Sequence, residues 1–256
     1  MSHYSGSVDR DVWFAAHFEI AVEQICEFFA GDGISLQGKR VADVGCGDGI
    51  IDLGLTLRAQ PASLVGLDIS PTDVDHLRSK ALEHAGVTEL PPELSFVHCS
   101  ETGFPIEDGS FDYVVSWSAF EHIGDPVSVL REIRRVLTAD GVLFIQLWPF
   151  FDSEHGTHLV EWFPEGFAQH RYSQEQILLR MTEETFSDRA EVMYREYRTL
   201  NQITADGLHL ALRQAGFVIA KLHLQADAVH VPVEMADMPP SRMGISGVKL
   251  LAVPSF

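Results

Sequence analysis

The run Val41-Ala42-Asp43-Val44-Gly45-Cys46-Gly47-Asp48-Gly49, with Asp68 closing a second apolar run Leu64-Val65-Gly66-Leu67, constrains the fold of this chain more than any other part of it. An apolar strand that breaks into a glycine-rich turn and reopens as a helix begins a βαβ unit. A carboxylate at the end of the next strand stands where ribose hydroxyls are gripped. Glycine lets the backbone approach a ligand closely and tolerates positive φ. A nucleoside-containing cofactor is the first implication.

Spacing narrows the choice. A dinucleotide fingerprint needs Gly or Ala at its sixth position, under a pyrophosphate, and counting from Gly45 that position is Ile50. Asp43 and Asp48 oppose a pyrophosphate and suit an ammonium and a ribose. These residues resemble the first motif of the class I S-adenosylmethionine (SAM)-dependent methyltransferases, of the type 11-like group: hydrophobic-Asp-hydrophobic-Gly-Cys-Gly-x-Gly. The resemblance continues through Phe104-Pro105-Ile106-Glu107-Asp108-Gly109-Ser110-Phe111-Asp112-Tyr113, leading into the fourth strand, and through Ala119-Phe120-Glu121-His122-Ile123 after it. Thr138-Ala139-Asp140-Gly141 then resembles the family's tight turn before the fifth strand, and the match covers roughly residues 38–148. Many relatives carry an Asp that holds the adenine amino group, and here Ser100 stands in its place with Glu101 beside it. The resemblance implies a SAM site drawn from Asp43, Gly45, Cys46, Gly47, Asp68, Ile69, Ser100, Glu101, Ser116 and Trp117.

Strands are expected at 40–45, 63–68, 94–98, 111–116 and 142–148, with helices at 49–59, 71–85 and 126–137, an alternation that makes a parallel sheet with right-handed crossovers. Val12, Trp13, Ala16, Ile20, Ala21, Ile25 and Phe28 lie near helical spacing and predict a leading helix over 9–31. After Trp148-Pro149 the alternation stops, and an insertion over 149–200 precedes a helix at 204–215 and strands at 217–225 and 247–253. The resemblance implies that the last strand is antiparallel. The expected fold is α/β: one Rossmann-like domain over 1–256, a seven-stranded, mostly parallel sheet with helices on both faces. The SAM-binding core falls at 38–148, a substrate-capping insertion follows the fifth strand at 149–200, and the final helix and strands occupy 201–256.

Composition excludes several classes. Against 37 Asp and Glu stand 18 Lys and Arg, a formal charge of −19, and no basic patch offsets the repulsion of a phosphate backbone, so nucleic acid is not an expected partner. No run of 18 apolar residues exists and Ser2-His3-Tyr4-Ser5 does not open a signal sequence, so no membrane partner and a cytoplasmic location are expected. Cys26, Cys46 and Cys99, without a CxxC, point to reduced thiols. A homo-oligomer is compatible with all of this.

Histidine marks the chemistry. His122 follows Glu121, a pair that suits a base, a clamp on a hydroxyl or a divalent-cation site, so Mg²⁺ enters as an optional cofactor; no zinc signature is present. Within the insertion, His155, His158 and His170 lie among Trp148, Phe150, Phe151, Trp162, Phe163, Phe167 and Tyr172; either the aromatic rings stack on a sugar while histidines read and deprotonate its hydroxyls, or the segment is a hydrophobic lid with solvated histidines. Gly156-Thr157-His158-Leu159, Phe163-Pro164 and Asn201-Gln202-Ile203-Thr204 bear a weaker similarity to sugar and glycan O-methyltransferases. The expectation is O-methylation of a hydroxyl on a saccharide or other small metabolite, with His155 or His158 as base and Glu121 and His122 as further catalytic candidates. An NAD-dependent oxidoreductase and a non-catalytic SAM-binding protein are the alternatives.

Overall fold

A computed structural model describes residues 11–184 and 188–255. Positions 9 and 10 of the expected leading helix lie outside the described residues. From residue 12 to 30 that helix, α1, runs as α-helix, passes through a π-helical stretch at Ala16–Ala21 and returns to α-helix at Val22–Ala30. Asp11 caps its start by accepting from Phe14 N at 3.0 Å, and Phe14, Ala21, Val22, Ile25 and Phe29 form its buried stripe.

The sheet has seven strands in the order β3-β2-β1-β4-β5-β7-β6. They are β1 Arg40–Val44, β2 Ser63–Asp68, β3 Leu94–His98, β4 Phe111–Trp117, β5 Leu137–Leu147, β6 Phe217–Ala226 and β7 Ile245–Pro254. Strands β1 to β5 pair in parallel, and β7 runs antiparallel between β5 and β6, as expected. Helices α2 Ile50–Ala59, α3 Val74–Ala85 and α4 Pro126–Val136 are the crossovers. The chain leaves β1 toward β2 on one side and returns to β4 on the other. The crevice beyond the carboxyl ends of β1 and β4 is therefore the switch point where open α/β sheets take ligands. The fifth strand differs from expectation: Phe111 pairs with Leu137, the register then shifts, and Tyr113 pairs with Val142. The expected turn at 138–141 is thus an irregularity inside one long strand.

Each face of the sheet has its own apolar core. On one side Val114, Leu130, Ile133, Leu143, Leu208 and Leu212 pack together; on the other, Val22, Ile25, Phe29, Leu55, Val115 and Phe144 do so. The insertion is more ordered than its irregular sequence pattern predicts, with helices α5 Gln174–Glu184 and α6 Asp188–Thr199 followed by α7 Ala205–Gln214. It also carries a small core of its own, in which Leu159, Trp162, Phe163, Ile177, Met181 and Tyr197 are buried. Here the aromatic reading is corrected. Trp162 and Phe163 fill this core, Phe167 packs on Met235 and Met243, and Phe150 joins the sheet core. Among those seven aromatics Trp148 is the large hydrophobic side chain left exposed, at 43%.

Candidate active site

The glycine loop connects β1 to α2 with φ of +80° at Gly45 and +54° at Gly47, a region where a side chain is strained. A Cβ on Gly45 would lie 2.4 Å from the Ala119 Cβ, so the loop is pressed against the turn after β4. Above Gly47 the space is open. The Gly47 N–H donates to Asp68 Oδ2 at 3.0 Å and the Ser70 N–H to Asp68 Oδ1 at 2.7 Å. Both carboxylate oxygens are thereby oriented, and each keeps a lone pair for a further donor such as a ribose hydroxyl. Asp48 caps Ile50 N through Oδ1 and accepts from Trp13 Nε1 through Oδ2 at 2.7 Å. The leading helix is pinned to the loop in this way. Trp13 looked like one more core position of an amphipathic helix, yet it is 61% exposed.

Beneath the loop lie two buried carboxyls. Asp43 is buried with Oδ1 unpartnered, and Asp52 on α2 is buried with both oxygens unpartnered. Burial raises the pKa of both, and their neighbouring carboxylates push in the same direction: Asp68 acts on Asp43, and Asp43 on Asp52. Such groups hold their protons at neutral pH. Cys46 is also buried, its thiol pushed up by burial and by these acids, with Sγ 3.6 Å from Thr72 Oγ1.

At the adenine end, Ile69 is 57% exposed beyond Asp68. Ser100 Oγ donates to Gly103 O at 3.1 Å within its own hairpin, while Glu101 is exposed beside it. The expected contact at Ser116 is corrected: the residue is wholly buried and its hydroxyl donates to Val44 O at 2.8 Å, stapling β4 to β1. The Trp117 ring stacks on Phe144, with centroids 6.4 Å apart.

The expected helix start at Glu121-His122 is a turn instead, closed by His122 N donating to Ala119 O, with helix α4 beginning only at Pro126. Asn201 clamps that turn: its Nδ2 donates to Phe120 O and Ile123 O at 2.6 and 2.8 Å, and its N–H to Glu121 O. Thr204 caps α7. The Asn-x-Ile-Thr stretch is therefore a structural clasp on the catalytic candidates. Glu121 is buried with neither oxygen partnered, and burial pushes it up to about 8. His122 Nδ1 lies 2.7 Å from Thr199 Oγ1, and the Thr199 hydroxyl donates to Glu196 O. With the threonine proton engaged, His122 Nδ1 is the donor and its Nε2 carries the free lone pair. Next to it, the His158 ring stands edge-on at 5.6 Å. Burial and the neighbouring His122 hold His158 down to about 4, and burial lowers His122 below the usual histidine range.

His155 and His170 do not join this pair. His155 lines a separate cavity with Trp148 and Ser246, its Nε2 3.7 Å from Glu154. His170 and Arg242 flank the buried Asp152 at 3.0 and 2.5 Å, fastening the insertion to the β6–β7 loop. Among the described residues no group of three or more His, Cys, Asp or Glu could hold a metal ion, and no helix is long and apolar enough to cross a membrane.

Residues 42–145 match a family described as "Methyltransferase domain". The ubiquinone biosynthesis O-methyltransferase of Idiomarina loihiensis is 28% identical over 156 residues, covering 58% of this chain and 61% of that protein. The enzyme of the same name from Paracidovorax citrulli is 33% identical over 124 residues, 48% of this chain and 47% of that one. The chain thus spans between about half and three fifths of the length of these two curated relatives. Among solved structures, geranyl diphosphate C-methyltransferase from Streptomyces coelicolor A3(2) superposes with a TM-score of 0.56 at 13% identity, covering 97% of this chain and 86% of its own, a likeness of fold. Over residues 42–145 the chain is thus similar to the methyltransferase domain family, and its fold is the Rossmann-like one of solved methyltransferases. The open space over Gly47, the oriented Asp68 carboxylate and the exposed Ile69 fit SAM, which the Gly45 to Gly49 loop and Asp68 would hold.

Proposed function

We propose that this chain transfers the methyl group of SAM to a hydroxyl of a small molecule, a saccharide or another hydroxylated metabolite. SAM, when bound, supplies an electrophilic methyl on a sulfonium. The chain's own work is to align the acceptor oxygen with that methyl and to remove its proton. Because Gly45 presses against Ala119, the cofactor loop and the Glu121-His122 turn share one wall. The observation that carries the reading is the contact of His122 Nδ1 with Thr199 Oγ1: with the Thr199 hydroxyl turned to Glu196 O, Nδ1–H donates there and Nε2 is left to take the hydroxyl proton. Its lowered pKa keeps it neutral, and so able to accept, at pH 7. His158 flanks the same space, and protonated Glu121 is available as a donor.

Two features support an oxygen acceptor: this base, and the O-methyltransferases among the chain's relatives. The saccharide assignment rests on the insertion's Gly156-Thr157-His158-Leu159 element, since most of the aromatics expected to stack on a sugar fill cores instead. The test is transfer of labelled methyl from SAM to a panel of hydroxylated acceptors, with His122→Ala alongside. Loss of a general base lowers kcat by about 10²–10⁴-fold, with SAM affinity unchanged. A variant with wild-type turnover would remove His122 from the mechanism, and no transfer to any acceptor would leave a SAM-binding protein without this activity.

A further inference from the structure

Beyond the end of β5 lies a cavity of about 170 Å³ whose walls come from the insertion and from the β6–β7 loop, a segment with no expected role. Trp148, Glu154, His155, Asp227, Met243 and Ser246 line it. Its volume is about that of one six-membered ring, since a 150 Å³ cavity holds benzene. One of its wall residues, Trp148, follows β5 and meets the turn after β4, where Ser118 Oγ reaches Trp148 O at 3.5 Å. Ser246 is 6% exposed with its Oγ unpartnered, and His155 Nδ1 is likewise buried and unpartnered. Such orphaned polar groups cost stability unless a ligand or water satisfies them.

The charge on the walls is one-sided. Glu154 and Asp227 are carboxylates, and among the described residues neither has a Lys or Arg partner; His155 Nε2 lies 3.7 Å from Glu154. Trp148 adds an exposed indole face, which attracts cations. From these walls we infer that the cavity is the acceptor's recognition subsite, and that it takes an ammonium-bearing ring or arm of a hydroxylated molecule, an amino-substituted polyol. The Glu154 and Asp227 carboxylates accept from the ammonium, while Ser246 and His155 pair with neighbouring hydroxyls. The inference rests on the proposed activity for its word "acceptor", and on the cavity alone for the chemistry it binds.

Three matched probes test it: 4-aminocyclohexanol, cyclohexane-1,4-diol and 4-hydroxycyclohexanecarboxylate. Each is titrated into the protein with and without S-adenosylhomocysteine, while NMR follows the His155 imidazole and Met243 methyl resonances. The amino probe is expected to bind at least about five-fold more tightly than the diol, with the carboxylate weakest, and Glu154→Gln and Asp227→Asn are each expected to erase that preference. Equal binding of the three, preference for the diol or carboxylate, no perturbation at His155 and Met243, or an amine preference intact in both variants would overturn the proposal. Methyl transfer is read separately from S-adenosylhomocysteine release. Amine preference without transfer keeps the subsite and counts against the activity, and transfer without amine preference does the reverse.

Discussion

Single side chains set both the chemistry and its pH limits. A base held below the usual histidine range stays neutral further into acid, so the acid limb of the kcat profile is expected below pH 6.5. A limb at or above 6.5 in steady-state rates would show that another group limits turnover. Glu121 acts on stability in the opposite sense to a surface carboxylate. Its folded-state pKa of about 8 exceeds the ordinary 4.5, so between these values the unfolded chain binds fewer protons and stability falls as pH rises. The full contribution is present below about pH 4.5, and the loss is complete above about 8. The slope is at most about 1.4 kcal/mol per pH unit for one group, and the buried Asp43 and Asp52 act in the same direction. In chemical melts of the ligand-free protein at pH 5, 6.5 and 8, Glu121→Gln should flatten this decline; an unchanged slope would mean Glu121 ionises normally. Glu121 and His122 were visible in the sequence as a pair. The tautomer was not, since it depends on Thr199, 77 residues away, and on where that hydroxyl's proton goes.

Among the elements, the glycine loop is the most sharply specified. Gly45→Ala would place a Cβ in the left-handed region and 2.4 Å from the Ala119 Cβ. SAM affinity should fall at least tenfold, with a stability loss of about 1–3 kcal/mol, measured by calorimetry and thermal melts; wild-type affinity would show that the loop is not the cofactor cradle. The insertion is the other decisive element. Asp152, buried between His170 and the half-exposed Arg242, is its anchor, and removing it breaks both contacts at once. Asp152→Ala is therefore expected to increase hydrogen exchange across 150–171 and in the β6–β7 loop while the sheet core stays protected; uniform loss of protection would mean the insertion does not open separately. Strands and crossovers were legible because buried parallel strands are nearly continuous apolar runs. Helices α5 and α6 were not, because their apolar contacts are sparse, Ile177 and Met181 on one and Ala190 and Tyr197 on the other, among charged residues. Aromatic richness there reflected the insertion's own core, which a sequence pattern does not separate from a stacking surface.

For the molecule as a whole, chain order places the cofactor loop at the switch point of the sheet, and the strand order β3-β2-β1-β4-β5-β7-β6 brings the insertion and the β6–β7 loop to the same carboxyl edge. Asp68 was expected to meet a ribose from its position at the end of β2, and its carboxylate is held there by the Gly47 N–H, whereas Ser116, one strand away, turned inward to Val44. Periodicity cannot distinguish these fates at a strand end, because a one-residue change of facing separates them. The central claim is that this edge holds SAM through the Gly45–Gly49 loop and Asp68. Calorimetric titration with S-adenosylhomocysteine and with NAD, on the wild type and Asp68→Asn, tests it most directly. One-to-one binding of S-adenosylhomocysteine, weakened at least about tenfold in Asp68→Asn, with no heat from NAD, is the predicted result. Binding of NAD, or S-adenosylhomocysteine affinity indifferent to Asp68, would contradict it.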